Sequence, residues 1–158
     1  MKKIILIGYG YWGKILANQL NKTKGIKFLL NGNGIKNNHK LKEIIKKEDI
    51  EEFVHLSDDN LDIMTVLPIC DLLISASHFE SFPNIICEAM ALEIPCVVTD
   101  VGDCKLIIGN YGRVVEPNSS ERIADAVKSL ISLPSEKFTE IGLLARNRVV
   151  NNFNIDAM

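Results

Sequence analysis

Short, almost wholly apolar runs alternate with longer stretches of mixed polarity along this chain, and that alternation admits few folds. A strand buried on both faces reads as a continuous apolar run, and parallel neighbours need a crossover between them, usually a helix. Ile4 to Ile7 is the first such run, and Tyr11 to Asn21 has the pattern of the helix that follows it. Ile26 to Leu30 is a second strand, closed by the turn Asn31-Gly32-Asn33-Gly34. Leu41, Ile44 and Ile45 supply a buried helical stripe. Phe53 to Leu56 is a third strand, and Leu61 to Leu67 a brief helix stopped by Pro68. Asp71 to Ser75, Cys96 to Thr99 and Arg113 to Val115 complete six strands. A helix capped by Ser119 or Ser120 presents Ile123, Ala124, Val127, Leu130 and Ile131 on one face, and a last helix runs from about Ser135 to Val150. The expected architecture is α/β: one doubly wound, Rossmann-like parallel sheet.

With 158 residues, no repeat and no linker, the chain suits a single domain over 1–158. Its apolar fraction of 47% is enough for one buried core. A net charge of -2 gives no electrostatic reason to expect a nucleic-acid partner. The lysines from Lys36 to Lys47 are interrupted by Glu43 and read as a solvated helix face. Cys70, Cys87, Cys96 and Cys104 form no CxxC pair, which points away from disulfides and zinc and towards a reducing cytoplasm. The opening MKKIILIGYG is too short in apolar residues for a signal peptide or a membrane span.

The informative stretch runs from Ser77 to Leu92, beginning just past the carboxyl end of the fourth strand, where open α/β sheets bind ligands. Pro83 suits a first helical turn and Ser81 a cap. The positive end of that helix would face the crevice and favour a phosphate or an electron-rich sugar. From Ile85 to Leu92 every residue but Glu88 is apolar, which predicts a helix buried nearly all round. A carboxylate there needs hydrogen-bond partners. A ribose cis-diol supplies two donors for two oxygens, and a neighbouring Lys or Arg would satisfy it as well.

Glu80 and Glu88, seven residues between them, resemble the paired-glutamate motif of the family 4 glycosyltransferases. The surroundings are similar too: Ser77 before the first glutamate, Phe82-Pro83-Asn84, Glu88-Ala-Met-Ala, the strand Pro95 to Thr99, and Asp100-Val-Gly102. So are Gly112-Arg-Val-Val-Glu-Pro117, Ala145-Arg-x-Arg148 and Phe153. An ordered set over most of the chain is far more specific than an isolated spacing. The resemblance implies the carboxy-terminal, donor-binding half of a two-domain GT-B enzyme. It places Glu88 on the ribose, Glu80 by the donor sugar and its phosphates, and the backbone of Phe82, Pro83 and Asn84 near the sugar hydroxyls or diphosphate. Phe82 and Pro83 also suit plain packing where the helix begins. Gly32 and Gly34 resemble the family's glycine turn near base and phosphates; alone, they mark a chain reversal.

Gly8-Tyr-Gly10-Tyr-Trp-Gly13 also matches the dinucleotide fingerprint and is similar to the opening of NAD-dependent oxidoreductases. That fingerprint expects an acidic residue after the second strand, where this chain has Asn31-Gly32-Asn33. An NAD(P)-binding oxidoreductase domain is therefore the alternative. Laid on the glycosyltransferase pattern, Gly8 and Lys14 fit a Gly-Arg pair followed by Lys, with Lys14 neutralising the departing diphosphate. Tyr9 stands in the arginine's place and carries no charge near pH 7. Lys14 can equally be read as a surface helix lysine. Histidines 39, 55 and 78 accompany no nucleophile, and Asp58-Asp59 reads as a helix start rather than a metal pair.

The implied reaction moves a sugar from a nucleoside diphosphate to an acceptor hydroxyl with retention, in cell-surface polysaccharide or glycolipid synthesis, without metal or other cofactor. The partners it implies are the nucleotide-sugar donor and an amino-terminal acceptor-binding domain or subunit, expected to be absent from this chain. A membrane is expected only indirectly, through that half or the acceptor, at its inner face. The chain is then an excised domain, a subunit that works with a separate acceptor half, or a non-catalytic nucleotide-sugar-binding module.

Overall fold

The computed structural model describes residues 26–31, 34–57 and 62–154, together with residues 2–7 as a strand. All six apolar runs are strands: β1 (Lys2–Ile7), β2 (Ile26–Asn31), β3 (Val54–Ser57), β4 (Leu72–Ser75), β5 (Cys96–Thr99) and β6 (Arg113–Val115). They form one sheet in the order β3-β2-β1-β4-β5-β6, and each neighbouring pair is parallel. The order turns around between β1 and β4, where Ile7 lies in register with Ser75. The predicted helix over 11–21, the segment Gly8 to Gly13, Gly32 and Asp58-Asp59 lie outside the described residues.

Strand residues alternate between two cores. Phe28, Leu30, Leu72, Ile74 and Val97 face one side, where they meet α1 (His39–Lys47) and α5 (Ser120–Ile131). Leu73, Cys96 and Val98 face the other. There they meet α2 (Ile63–Val66), α3 (Asn84–Ala91), α4 (Cys104–Ile108) and α6 (Ser135–Asn152). Every residue of β4 and β5 is buried, as expected for central parallel strands, whereas the edge strands β3 and β6 are mostly half-buried. Burying each such Leu or Ile contributes about 1.5–3 kcal/mol before entropy is subtracted.

Among the described residues, three helix starts have side-chain caps. Asn38 Oδ1 accepts from the Leu41 amide at 3.0 Å, Asp62 Oδ1 from Met64 at 3.0 Å, and Ser119 Oγ from Arg122 at 3.3 Å. Ser119 is thus the cap of α5, and Ser120 lies inside the helix. Pro68, as its sequence position suggests, follows the end of the α-helix at Val66. It sits in a 3-10 turn, Leu67–Ile69, that continues from α2, at a point where no helical N–H is required. The short helix α4 has no counterpart in the sequence reading.

Candidate functional site

The strand order reverses between β1 and β4, and open α/β sheets bind ligands beyond the carboxyl ends of the strands at such a point. The segment Ser77 to Pro83 leaves β4 there and leads into α3. Ser77 Oγ donates a hydrogen bond of 2.7 Å to Glu80 Oε1, which fixes one carboxylate oxygen of a half-buried side chain. The carbonyl of Ser77 accepts from the buried Thr99 Oγ1 at 2.6 Å. One turn further on, the Ser81 carbonyl accepts from the Asp103 amide at 2.9 Å. Gly102 sits between these contacts at φ 51, and a Cβ there would stand 2.6 Å from the Ser81 carbonyl oxygen and closer still to that of Glu80.

Ser81 is not the cap of α3. It is exposed and its backbone carbonyl is held by Asp103, while Pro83 occupies the cap position and Asn84 begins the helix. Proline offers no side-chain acceptor, so no side chain receives the amides of the first turn. The positive end of an eight-residue helix therefore opens at the crevice without an internal anion.

The expectation that α3 is buried nearly all round needs correction. Ile86, Ala89 and Met90 are buried, but Ile85, Cys87 and Glu88 are half-buried along one side. The helix has one face on the sheet and α6, and a partly open face that carries the second glutamate. Among the described residues Glu88 has no Lys or Arg within ion-pair distance. Its charge is felt next door: burial first, and Glu88 second, push the Cys87 thiol up. Burial also raises Cys96 and Cys104, so these thiols stay protonated and behave as small apolar groups.

The structure gathers Glu80, Phe82, Pro83, Asn84 and Glu88 on one loop and helix. Phe82 packs its ring on Phe153 with centroids 5.9 Å apart, and the Arg148 guanidinium lies 5.8 Å from the Phe153 centroid. Phe82 thus has the packing role open to it in sequence. Gly34 stands at φ 68 after β2, in open space, a conformation that favours glycine. Gly8, Tyr9, Lys14 and Gly32 fall outside the described residues. Among the described residues no cluster of His, Cys, Asp or Glu is placed to hold a metal ion.

Sequence reasoning missed the roles of Thr99, Asp103, Arg146 and Arg148. Arg146 donates to the Ala91 carbonyl at 2.9 Å, closing the end of α3, and Arg148 donates to the Ile107 carbonyl at 2.8 Å, closing α4. A signal for Thr99 was present: Ser57, Ser75 and Thr99 are each a buried polar residue that ends an apolar strand. Buried hydroxyls demand partners, and at carboxyl ends of strands those partners belong to the site loops.

The model of the family described as glycosyl transferases group 1 matches residues 14–148. The capsular polysaccharide biosynthesis glycosyltransferase CapM of Staphylococcus aureus is 34% identical over 86 residues, 53% of this chain and 22% of that protein. The fold is that of the carboxy-terminal domain of a glycosyl transferase group 1 family protein (LpcC) from Francisella tularensis. The TM-score is 0.84 at 24% identity, covering 98% of this chain and 87% of the other. It also superposes on Anabaena HepE, solved with UDP and glucose, at a TM-score of 0.84 and 19% identity, covering 98% of this chain and 45% of that one. The chain spans under a third of the length of the curated relatives it matches, between 18% and 29%.

Proposed function

The chain belongs to the glycosyl transferases group 1 family, and from that premise we propose that it is the donor-binding half of a retaining GT-B transferase. Residues 1–158 form its single nucleotide-sugar domain. The observation that carries this is Glu88, a half-buried carboxylate on the helix that opens at the crevice, without a cationic partner among the described residues. A ribose diol gives both oxygens a donor. Eight positions earlier, Glu80 is held by Ser77 at the end of β4, where it meets the sugar and its phosphates. Between them the uncapped amides of Asn84 and its neighbours receive the diphosphate, and the helix dipole stabilises negative charge as it leaves. Gly8, Gly32 and Gly34 give the nucleotide backbone room, and Lys14 supplies a positive charge for the departing diphosphate. No metal or other cofactor is needed in this scheme.

The acceptor, and the groups that orient it, belong to an amino-terminal half. A membrane is reached only through that half or the acceptor. Among the described residues no helix is long and apolar enough to cross a membrane. Two relatives, CapM and the teichuronic acid glycosyltransferase TuaC of Bacillus subtilis, bear names from polysaccharide synthesis, which supports a cell-surface polysaccharide as the product.

Thermal unfolding with added nucleotides tests the reading. UDP or GDP should raise Tm more than NAD or NADP at equal concentration, because the second strand ends in Asn31 and not in an acid. A ligand at a hundred times its Kd contributes about 2.7 kcal/mol. Stabilisation by NAD alone would reject the donor site.

Glu88→Gln should weaken binding of the same nucleoside diphosphate by about 1.5–3 kcal/mol, the usual value of a hydrogen bond to a charged group. Circular dichroism should stay unchanged. Equal affinity for both proteins in calorimetry would remove Glu88 from the ribose.

A further inference from the structure

The loop that carries Glu80 is gripped by one short segment, Thr99 to Asp103, through three different means. The hydroxyl of Thr99 holds the Ser77 carbonyl at 2.6 Å, and Ser77 in turn holds the Glu80 carboxylate at 2.7 Å. The amide of Asp103 holds the Ser81 carbonyl at 2.9 Å. Between the two, Gly102 has no side chain where one would collide with the carbonyls of Glu80 and Ser81. Thr99 is 1% exposed, so its hydroxyl has no water to turn to and its single bond to Ser77 is costly to leave unmade.

We infer that Thr99 and Gly102 are positioning residues for Glu80: they set where its carboxylate stands against the sugar end of the donor. The inference rests on the donor-site reading above. Neither residue touches a donor held by Glu80 and Glu88; each acts through the loop. Glu88 and the amides that begin at Asn84 belong to α3, outside the gripped segment of Ser77 to Ser81, so the nucleotide is held by the helix and the sugar by the loop. Loss of the grip should therefore cost affinity for the sugar and spare affinity for the nucleotide.

The experiment compares the whole chain with Thr99→Val, Thr99→Ser, Gly102→Ala, Glu80→Gln and the double variant Thr99→Val with Glu80→Gln. Calorimetry with UDP, GDP, UDP-glucose and GDP-mannose gives two affinities for each base, with and without sugar. Valine has threonine's shape and suits a strand, so Thr99→Val keeps the packing and loses only the hydroxyl. For whichever base binds, Thr99→Val and Gly102→Ala should weaken the nucleotide sugar by about three- to tenfold and the diphosphate by less than about twofold. Thr99→Ser should restore wild-type values. The double variant should lose no more than Glu80→Gln alone, since both changes remove one chain of contacts.

Thr99→Val binding both ligands like the wild type, while Glu80→Gln loses the sugar, would overturn the inference and leave the donor site standing. Equal losses for sugar and diphosphate would overturn it too, as the mark of general loosening. A wild-type chain that binds none of the four ligands would overturn the donor site, and the inference with it.

Discussion

Gly142→Ala should unfold more easily than the wild type by about 2 kcal/mol, against the usual expectation for a glycine inside a helix. Gly142 lies in the middle of α6, where alanine normally gains about 1 kcal/mol. Here the added Cβ would stand 3.0 Å from the Glu93 carbonyl carbon and nearer still to its oxygen. Both are backbone atoms. They belong to the turn that closes α3, where Glu93 is held at φ 63 and cannot swing aside as a side-chain tip would. The helices must separate, and overpacking of this kind costs about 1–3 kcal/mol, here towards the upper end. That outweighs the helix gain.

The same contact lets Arg146 reach the Ala91 carbonyl and pair with Glu93 at 3.7 Å, so separation also weakens the tie between α6 and the site helix. A urea titration should show a lower midpoint with an unchanged slope, and Tm should drop by about 4–8 °C. A midpoint at or above the wild-type value would mean that α6 and α3 do not touch at this point.

What could be read from sequence follows the range of the forces involved. The apolar runs at Asp71 and Cys96 announce strands because burial on both faces forces nearly every residue to be apolar. The central strands β4 and β5 are legible for that reason, and the fold class from the alternation of such runs with helical stretches. The five-residue helix α4 is not, since Cys104 to Ile108 is too short to show a period. Ser81 has the composition of a cap, yet the cap position falls two residues later, at Pro83, because Asp103 and Gly102 hold the Ser81 backbone. That is a tertiary contact over some twenty positions, and no local rule contains it.

The site divides in the same way. Glu80, Glu88 and the residues between them were visible as types at a spacing. The grip of Thr99 on Ser77, and the half-open side of α3, depend on how β5 lies against β4. The apolar neighbours of Glu88 suggested full burial because a sequence shows composition and not which flank of a helix meets a partner. Gly34 was read as part of a turn, and its left-handed backbone agrees with that.

The isolated chain should bind a nucleotide sugar and fail to transfer it. On the proposed reading, Glu80, Glu88 and the amide end of α3 make up a donor face. None of these is arranged to orient a second substrate's hydroxyl. Holding two reactants in line contributes up to about 7–11 kcal/mol of a barrier, so an acceptor arriving from bulk water forfeits most of the rate. Water reaches the donor through the same opening, which makes slow hydrolysis the competing outcome. Tyr9 is expected to lower the ceiling further, since an uncharged residue stands at the sequence position where the glycosyltransferase pattern has an arginine. The assay incubates the purified chain with radiolabelled UDP-glucose and GDP-mannose and a panel of lipid-linked and oligosaccharide acceptors. The expected result is retention of label on the nucleotide, with free sugar accumulating slowly. Adding an amino-terminal half from a relative such as CapM, which carries the capsular-polysaccharide name, should raise transfer by orders of magnitude if the halves dock. Sustained multiple turnover by the chain alone would mean that it contains its own acceptor site, and the half-enzyme proposal would have to be given up.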